Sequence, residues 1–190
     1  STDGDEAVND YVRGVTGGWK RQIETFKRLR AIPGVQVFLS MTLSSYNADQ
    51  YEKAFEAAKK ECPWLKPTDF HMNIAHESAH YYGNAGTGVL EKNNRAVIEQ
   101  IKRYMALRGY PRNPIEAVER RYLKNVEKYL SAGVTPMRCH ALRSSCFIDP
   151  FGDIYPCAMY DAKVASLREH GYDLQAAWNT QRARILQEGI

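Results

Sequence analysis

The stretch from Cys139 to Cys157, CHALRSSCFIDPFGDIYPC, constrains this chain more than any other. It reads Cys, twelve residues, Gly152, four residues, Cys. Between the cysteines lie an apolar run, Cys146-Phe147-Ile148, a turn, Asp149-Pro150-Phe151-Gly152, and a second run, Asp153-Ile154-Tyr155. Pro and Gly inside a turn, with β-formers on both sides, predict a hairpin. A hairpin folds the chain back on itself, so two cysteines eighteen positions apart can end on one side of the ribbon. Thiolates held that way suit a shared metal or a shared iron–sulfur cluster.

The rest of the chain supplies elements around this ribbon. Trp19, Ile23, Phe26 and Leu29 share one helical face, and Pro33-Gly34 ends that helix. Val35 to Leu43 reads as a strand with Val35, Val37, Leu39 and Met41 on its buried side. Asn47, with Gln50 three residues on, reads as a capping box for a helix whose inward stripe is Tyr51, Ala54, Phe55 and Ala58 and which stops before Pro63. Phe70 to Ala75 is a second strand, with His71 and Asn73 on the face opposite Phe70, Met72 and Ile74. Strand–helix–strand order predicts a parallel pair with a crossover helix.

Two helices then follow without a strand between them. The first carries Val97, Ile101 and Tyr104. The second starts at Asn113-Pro114, has Ile115, Val118, Tyr122, Val126 and Tyr129 as its stripe, and closes at Gly133. A last helix opens at Asp173 with Leu174, Trp178 and Ile185 on one face. The fold class expected is α/β, and three segments are expected: 1–87, a helical linker 88–133, and 134–190.

Composition narrows the function classes. A hydrophobic fraction of 44% and a charged fraction of 25% are those of a globular protein. The net charge of +4 is mild, and Lys20, Arg21, Lys27, Arg28 and Arg30 are dispersed along one helix, which is a solvated face more readily than a nucleic-acid stripe. No apolar run approaches a membrane span, so neither nucleic acid nor membrane is expected as a partner. Four cysteines without dense, regular spacing point to a reducing compartment, and a cytoplasmic location is expected.

The ribbon resembles the first half of the SPASM auxiliary-cluster domain that follows the barrel in many radical S-adenosylmethionine (SAM) enzymes. That pattern runs Ile-Asp-x-x-Gly-x-x-x-Pro-Cys, and here it reads Ile148-Asp149-Pro150-Phe151-Gly152-Asp153-Ile154-Tyr155-Pro156-Cys157. The first half is similar to the back of a radical SAM barrel, where Ser-x-Asp-Gly is followed by an Arg-Gly and a helix. Here these are Ser1-Thr2-Asp3-Gly4, Arg13-Gly14 and the helix from Gly18, and then Thr42 and Asn47 at the next strand end.

The resemblance implies a partial (β/α) radical SAM barrel over 1–87, the helical linker, and the first half of a SPASM-like region. It implies Ser1, Asp3 and Asn47 at a SAM site and Cys139 and Cys157 as two ligands of an auxiliary [4Fe–4S] cluster. For Asn47, helix capping is the preferred explanation. Cys146 and Cys62 read as core residues. The Cys-x3-Cys-x2-Cys loop that holds the SAM-cleaving cluster is expected before Ser1, so this chain is read as a segment of a longer protein and is expected to be inactive alone. The implied partners are a peptide or small-molecule substrate and an electron donor such as ferredoxin or flavodoxin.

Two other readings stand beside it. His76-Glu77-Ser78-Ala79-His80 matches the His-Glu-x-x-His of zinc hydrolases, with Glu91 or Glu116 as possible third ligands. Gly83, Gly86 and Gly88 disfavour the helix that motif needs, and Ser78 to Gly88 is expected to be mostly loop. The third reading is a non-catalytic metal-binding module through Cys139 and Cys157.

Overall fold

The computed structural model describes residues 1–90, 94–132 and 134–189, so Glu91 and Gly133 lie outside the described residues. Its contacts divide the chain into two compact units: Ser1–Ala75 with Val89–Val134, and His76–Gly88 with Thr135–Ile190. The loop at the end of the expected first segment therefore groups with the cysteine-rich region. Among the described residues no helix is long and apolar enough to cross a membrane.

The first unit is built on a parallel pair, β1 (Leu39–Leu43) and β2 (Phe70–Ile74), joined by α3 (Tyr51–Glu61). The register runs from Leu39 opposite Phe70 to Leu43 opposite Ile74, as the strand–helix–strand pattern predicts. β1 starts at Leu39 rather than Val35, and Val35 stands exposed. α1 (Glu6–Arg13) is capped by Asp5, whose side chain accepts from the Val8 amide. α2 (Gly18–Arg30) buries Trp19, Ile23 and Phe26, while Leu29 faces water. Tyr51, Ala54, Phe55 and Ala58 of α3 are buried against Phe70, Met72 and Tyr104, with Tyr51 set edge-on to both Phe70 and Tyr104. Cys62 sits wholly inside this core, and burial pushes its thiol up, away from the thiolate form.

α4 (Arg95–Arg108) buries Val97, Ile101 and Tyr104 as expected. Of the expected stripe, α5 (Pro114–Ala132) buries Val126 alone. Leu123, Val126 and Leu130 face the core, and Ile115, Val118, Tyr122 and Tyr129 are exposed. The helix is rotated because Glu119 belongs to the inward face, one turn before Leu123. A carboxylate there hides the stripe from an apolar count, and its partners make its burial tolerable.

The second unit has a three-stranded antiparallel sheet, β3 (Phe147–Ile148), β4 (Asp153–Tyr155) and β5 (Ala165–Ser166), in that order. The hairpin register sets Phe147 opposite Tyr155 and Ile148 opposite Ile154. Asp149 shapes the turn: its Oδ1 accepts from the Phe151 and Asp153 amides at 2.9 and 2.8 Å. β5 was not foreseen, since two residues are too few to show a period. Asp173 caps α6 (Leu174–Trp178), but the helix breaks there and α7 (Gln181–Gly189) follows. Ala177 and Ala183, not Leu174 and Ile185, pack against Leu142, Ile154 and Val164. Leu142 is buried with φ 58°, and its carbonyl accepts from Trp178 Nε1 at 2.8 Å and Gln187 Nε2 at 2.7 Å.

Gly152 closes the hairpin turn with φ 84°. An added Cβ would meet Leu167 and Arg168 atoms at 3.7 Å, an ordinary contact, so the cost of Gly152→Ala is conformational. It is expected to be about 1–2 kcal/mol. Equilibrium urea unfolding of the two proteins reads it directly.

Candidate metal centre

The ribbon sets where the cysteines lie. Cys146 immediately precedes β3, and Cys157 lies in a bend two residues past β4, so both stand at the open end of the hairpin, away from Gly152. The Cys139 segment is tied to the same end by a bridge between Ala141 and Ser145, with the Leu142 amide donating to the Ser145 carbonyl at 2.7 Å. All three are free thiols with partial exposure. Cys146 packs against the second core, and burial pushes its thiol up. Cys139 Sγ accepts from the Ala141 amide at 3.5 Å.

The loop 76–88 belongs to this unit and has no helix. His76 and His80 therefore lack the one-turn spacing of a zinc-hydrolase helix. Their side chains have other work. His80 Nε2 faces the Cys157 carbonyl at 3.3 Å, and its Nδ1 faces Ser78 Oγ at 3.3 Å. Its ring stacks on Tyr155 at 4.4 Å, with the edge of Phe147 at 5.9 Å. Glu77 accepts from the Gly86 amide at 3.1 Å. Burial holds the His76 imidazole below its usual range. Glu116, the possible third ligand, instead accepts from the Arg112 amide at 2.7 Å and from Asn113 at 3.0 Å at the start of α5. Among the described residues no three His, Cys, Asp or Glu side chains form a group that could hold a metal.

The N-terminal candidates lie in the first unit. The Thr2 amide donates to the Ser40 carbonyl at 2.7 Å, which lays residues 1–4 along β1. Ser1 is exposed and Asp3 is buried. Asp3 Oδ1 accepts from the Thr42 amide at 3.0 Å, and its Oδ2 pairs with Arg13 Nε at 2.6 Å. Asn47 does not cap α3; Gln50 occupies the cap position, without a side-chain bond. Asn47 is fully buried. Its Oδ1 accepts from the Ser44 amide at 2.7 Å, and its Nδ2 donates to the Asp3 and Thr42 carbonyls at 2.8 and 3.0 Å. The capping expectation fails because a side chain with both donors and acceptors can fasten residues 1–4 to the end of β1, which a cap cannot do.

Residues 139–189 match the family model of SPASM, an iron-sulfur cluster-binding domain. The match starts at Cys139 and runs through the hairpin, Cys157, β5 and both terminal helices. The comparison with curated proteins gave no match.

The donor chemistry of the SPASM segment suits the group its family binds. A [4Fe–4S] cluster takes four thiolates. Cys139 and Cys157 are soft, unpaired, partly exposed donors within one compact unit, and fit two of those positions. Cys146 fits less well, being drawn toward the core with a raised thiol. Sequence reasoning missed His80 as a neighbour of Cys157, because a contact 77 positions apart leaves no periodic trace.

Proposed function

We propose that the chain is part of a radical SAM enzyme with a SPASM-type auxiliary-cluster region, and that Cys139 and Cys157 ligate the auxiliary [4Fe–4S] cluster. The SPASM match, starting at Cys139 and holding Cys157 at the end of its hairpin, is the observation that carries this reading. A bound cluster of this kind supplies one-electron chemistry. Cys139 and Cys157 would hold it: Cys157 follows β4 of the hairpin, and the Ala141–Ser145 bridge orders the segment just after Cys139.

The parallel β1–α3–β2 unit is then the end of a barrel. Ser1, Asp3 and Asn47 stand toward SAM, and the reaction class is reductive cleavage of SAM followed by hydrogen-atom abstraction from a peptide or small molecule. Ferredoxin or flavodoxin is the electron donor proposed, and the cytoplasm the location. Asp3 and Asn47 serve SAM through the backbone they hold, because their side-chain atoms already bind Thr42, Arg13, Ser44 and the Asp3 carbonyl.

The test is anaerobic iron–sulfur reconstitution of the protein expressed in its natural reading frame. Cys139→Ala and Cys157→Ala are each expected to lose at least half of the auxiliary-cluster iron and sulfide, with a changed electron paramagnetic resonance (EPR) signal. Cys62→Ala is expected to leave the cluster content unchanged. Unchanged iron in both Cys139→Ala and Cys157→Ala overturns the assignment. The 190-residue chain alone is expected to release no 5′-deoxyadenosine from SAM, because it has no Cys-x3-Cys-x2-Cys loop.

A further inference from the structure

We infer that His80, from the loop after β2, is a positioning residue for Cys157: it holds the backbone of a cluster ligand from a segment outside the SPASM match. The inference rests on the reading of Cys157 as a ligand.

β4 ends at Tyr155, so Cys157 lies beyond the reach of the ladder, in a bend. A ligand there needs its backbone held from elsewhere, since outer partners set the geometry of a metal ligand. His80 Nε2 reaches the Cys157 carbonyl at 3.3 Å. A carbonyl can only accept, so Nε2 is the donor in this bond. Nδ1 faces the Ser78 hydroxyl at 3.3 Å. That hydroxyl oxygen in turn accepts from the Tyr81 amide at 3.0 Å. These contacts tie the ring to the Cys157 carbonyl on one side and to its own loop on the other.

The ring is also held in place. It lies at 22° to Tyr155 at 4.4 Å, with Phe147 at its side, and its side chain is 6% exposed. Both aromatics belong to the hairpin that presents Cys157. The loop behind the ring is closed by Asn84, which accepts from the Ser78 amide at 2.9 Å and donates to the His76 carbonyl at 3.0 Å. Asp161 Oδ1 stands 3.7 Å from Nδ1. Nothing in this arrangement uses His80 as a metal ligand, since both its nitrogens face protein groups.

The first readout needs no cluster. In the metal-free protein, alkylation of Cys157 by iodoacetamide, followed by mass spectrometry, is expected to run about three- to tenfold faster in His80→Ala, the factor expected from losing one net hydrogen bond. Cys139 is expected to keep its rate. His80→Gln, whose amide can still donate to the carbonyl, is expected to restore most of the protection. If His80→Ala does not fold, Ser78→Ala replaces it, with a smaller increase confined to Cys157. In the reconstituted protein, His80→Ala is expected to shift the EPR signal of the auxiliary cluster and to speed its loss to a chelator, with His80→Gln lying between.

An unchanged Cys157 rate overturns the inference, as does an equal rise at Cys139, Cys146 and Cys157, which would mark general loosening. A wild-type protein that takes up no Cys157-dependent iron fails the reading of Cys157 as ligand instead, and the alkylation result separates the two failures.

Discussion

Asn47→Ala is expected to cost the first unit about 3–5 kcal/mol, since each buried polar group left without its partner costs about 1–3 kcal/mol. The side chain is fully buried and ties three backbone positions together. It satisfies the Ser44 amide, and it donates to the carbonyls of Asp3 and Thr42. Alanine removes all of these bonds and leaves a hole that a methyl cannot fill. Asn47→Asp separates the contributions: the carboxylate still accepts from Ser44 but turns a negative oxygen toward two carbonyls. It is therefore expected to be no better than alanine. Urea unfolding followed by tryptophan fluorescence measures both. A wild-type midpoint in both variants would show that Asn47 carries no structural load, and would return it to a direct role at the SAM site.

Asn47 also shows what the sequence conceals. Its position after a strand and before a helix suits a cap, and a cap needs only one side-chain acceptor. The structure uses the whole amide, and uses it on residues 44 positions away. Local patterns carried the parts of the fold that local forces decide: the burial of Trp19, Ile23 and Phe26, the parallel pairing of Leu39–Leu43 with Phe70–Ile74, and the turn from Asp149 to Gly152. They failed where tertiary contacts outweigh periodicity. α5 is the plain case. Ile115, Val118, Tyr122 and Tyr129 of the expected stripe are exposed, and the core face contains a carboxylate.

The candidate metal centre was legible to the extent that it is local. Gly152 and the two apolar runs dictate a hairpin, and the hairpin dictates where Cys157 stands. The aromatic packing around it was not legible, because His80 reaches Tyr155 and Phe147 from a loop far earlier in the chain. The same loop looked like a zinc motif because two histidines four positions apart mean something only on a helix. Three glycines with φ between 62° and 75° at positions 83, 86 and 88 keep that stretch out of one.

Glu119→Ala is expected to destabilise the first unit by about 1–3 kcal/mol, the cost of leaving a part-buried charged group without its hydrogen-bond partner. Glu119 Oε2 accepts from Arg108 Nη1 at 2.6 Å, and Oε1 accepts from Tyr104 Oη at 2.6 Å and faces His71 Nδ1 at 3.0 Å. The Arg108 side chain is 9% exposed, so alanine at 119 strands a guanidinium whose nearest remaining partner is the Tyr104 hydroxyl. The charge, not the shape, causes the loss. A double variant with Arg108→Met and Glu119→Leu is therefore expected to recover most of it, because apolar replacement of a buried pair is often neutral.

Acid provides a second reading of the same group. Burial alone would raise the Glu119 carboxyl, but the bonds from His71 and Tyr104, with the charges of His71 and Arg108, outweigh it and hold the carboxyl below its ordinary 4.5. A folded-state value below the unfolded one means the unfolded chain binds the proton first. The stability Glu119 provides is then fully present above about pH 4.5 and is lost as the pH falls through its folded value. Between pH 6 and pH 3, in the range where carboxylates titrate, wild-type unfolding free energy is expected to fall more steeply than that of Glu119→Gln. Parallel curves for the two proteins would place the acid sensitivity elsewhere and leave the Arg108 pair worth no more than an exposed one.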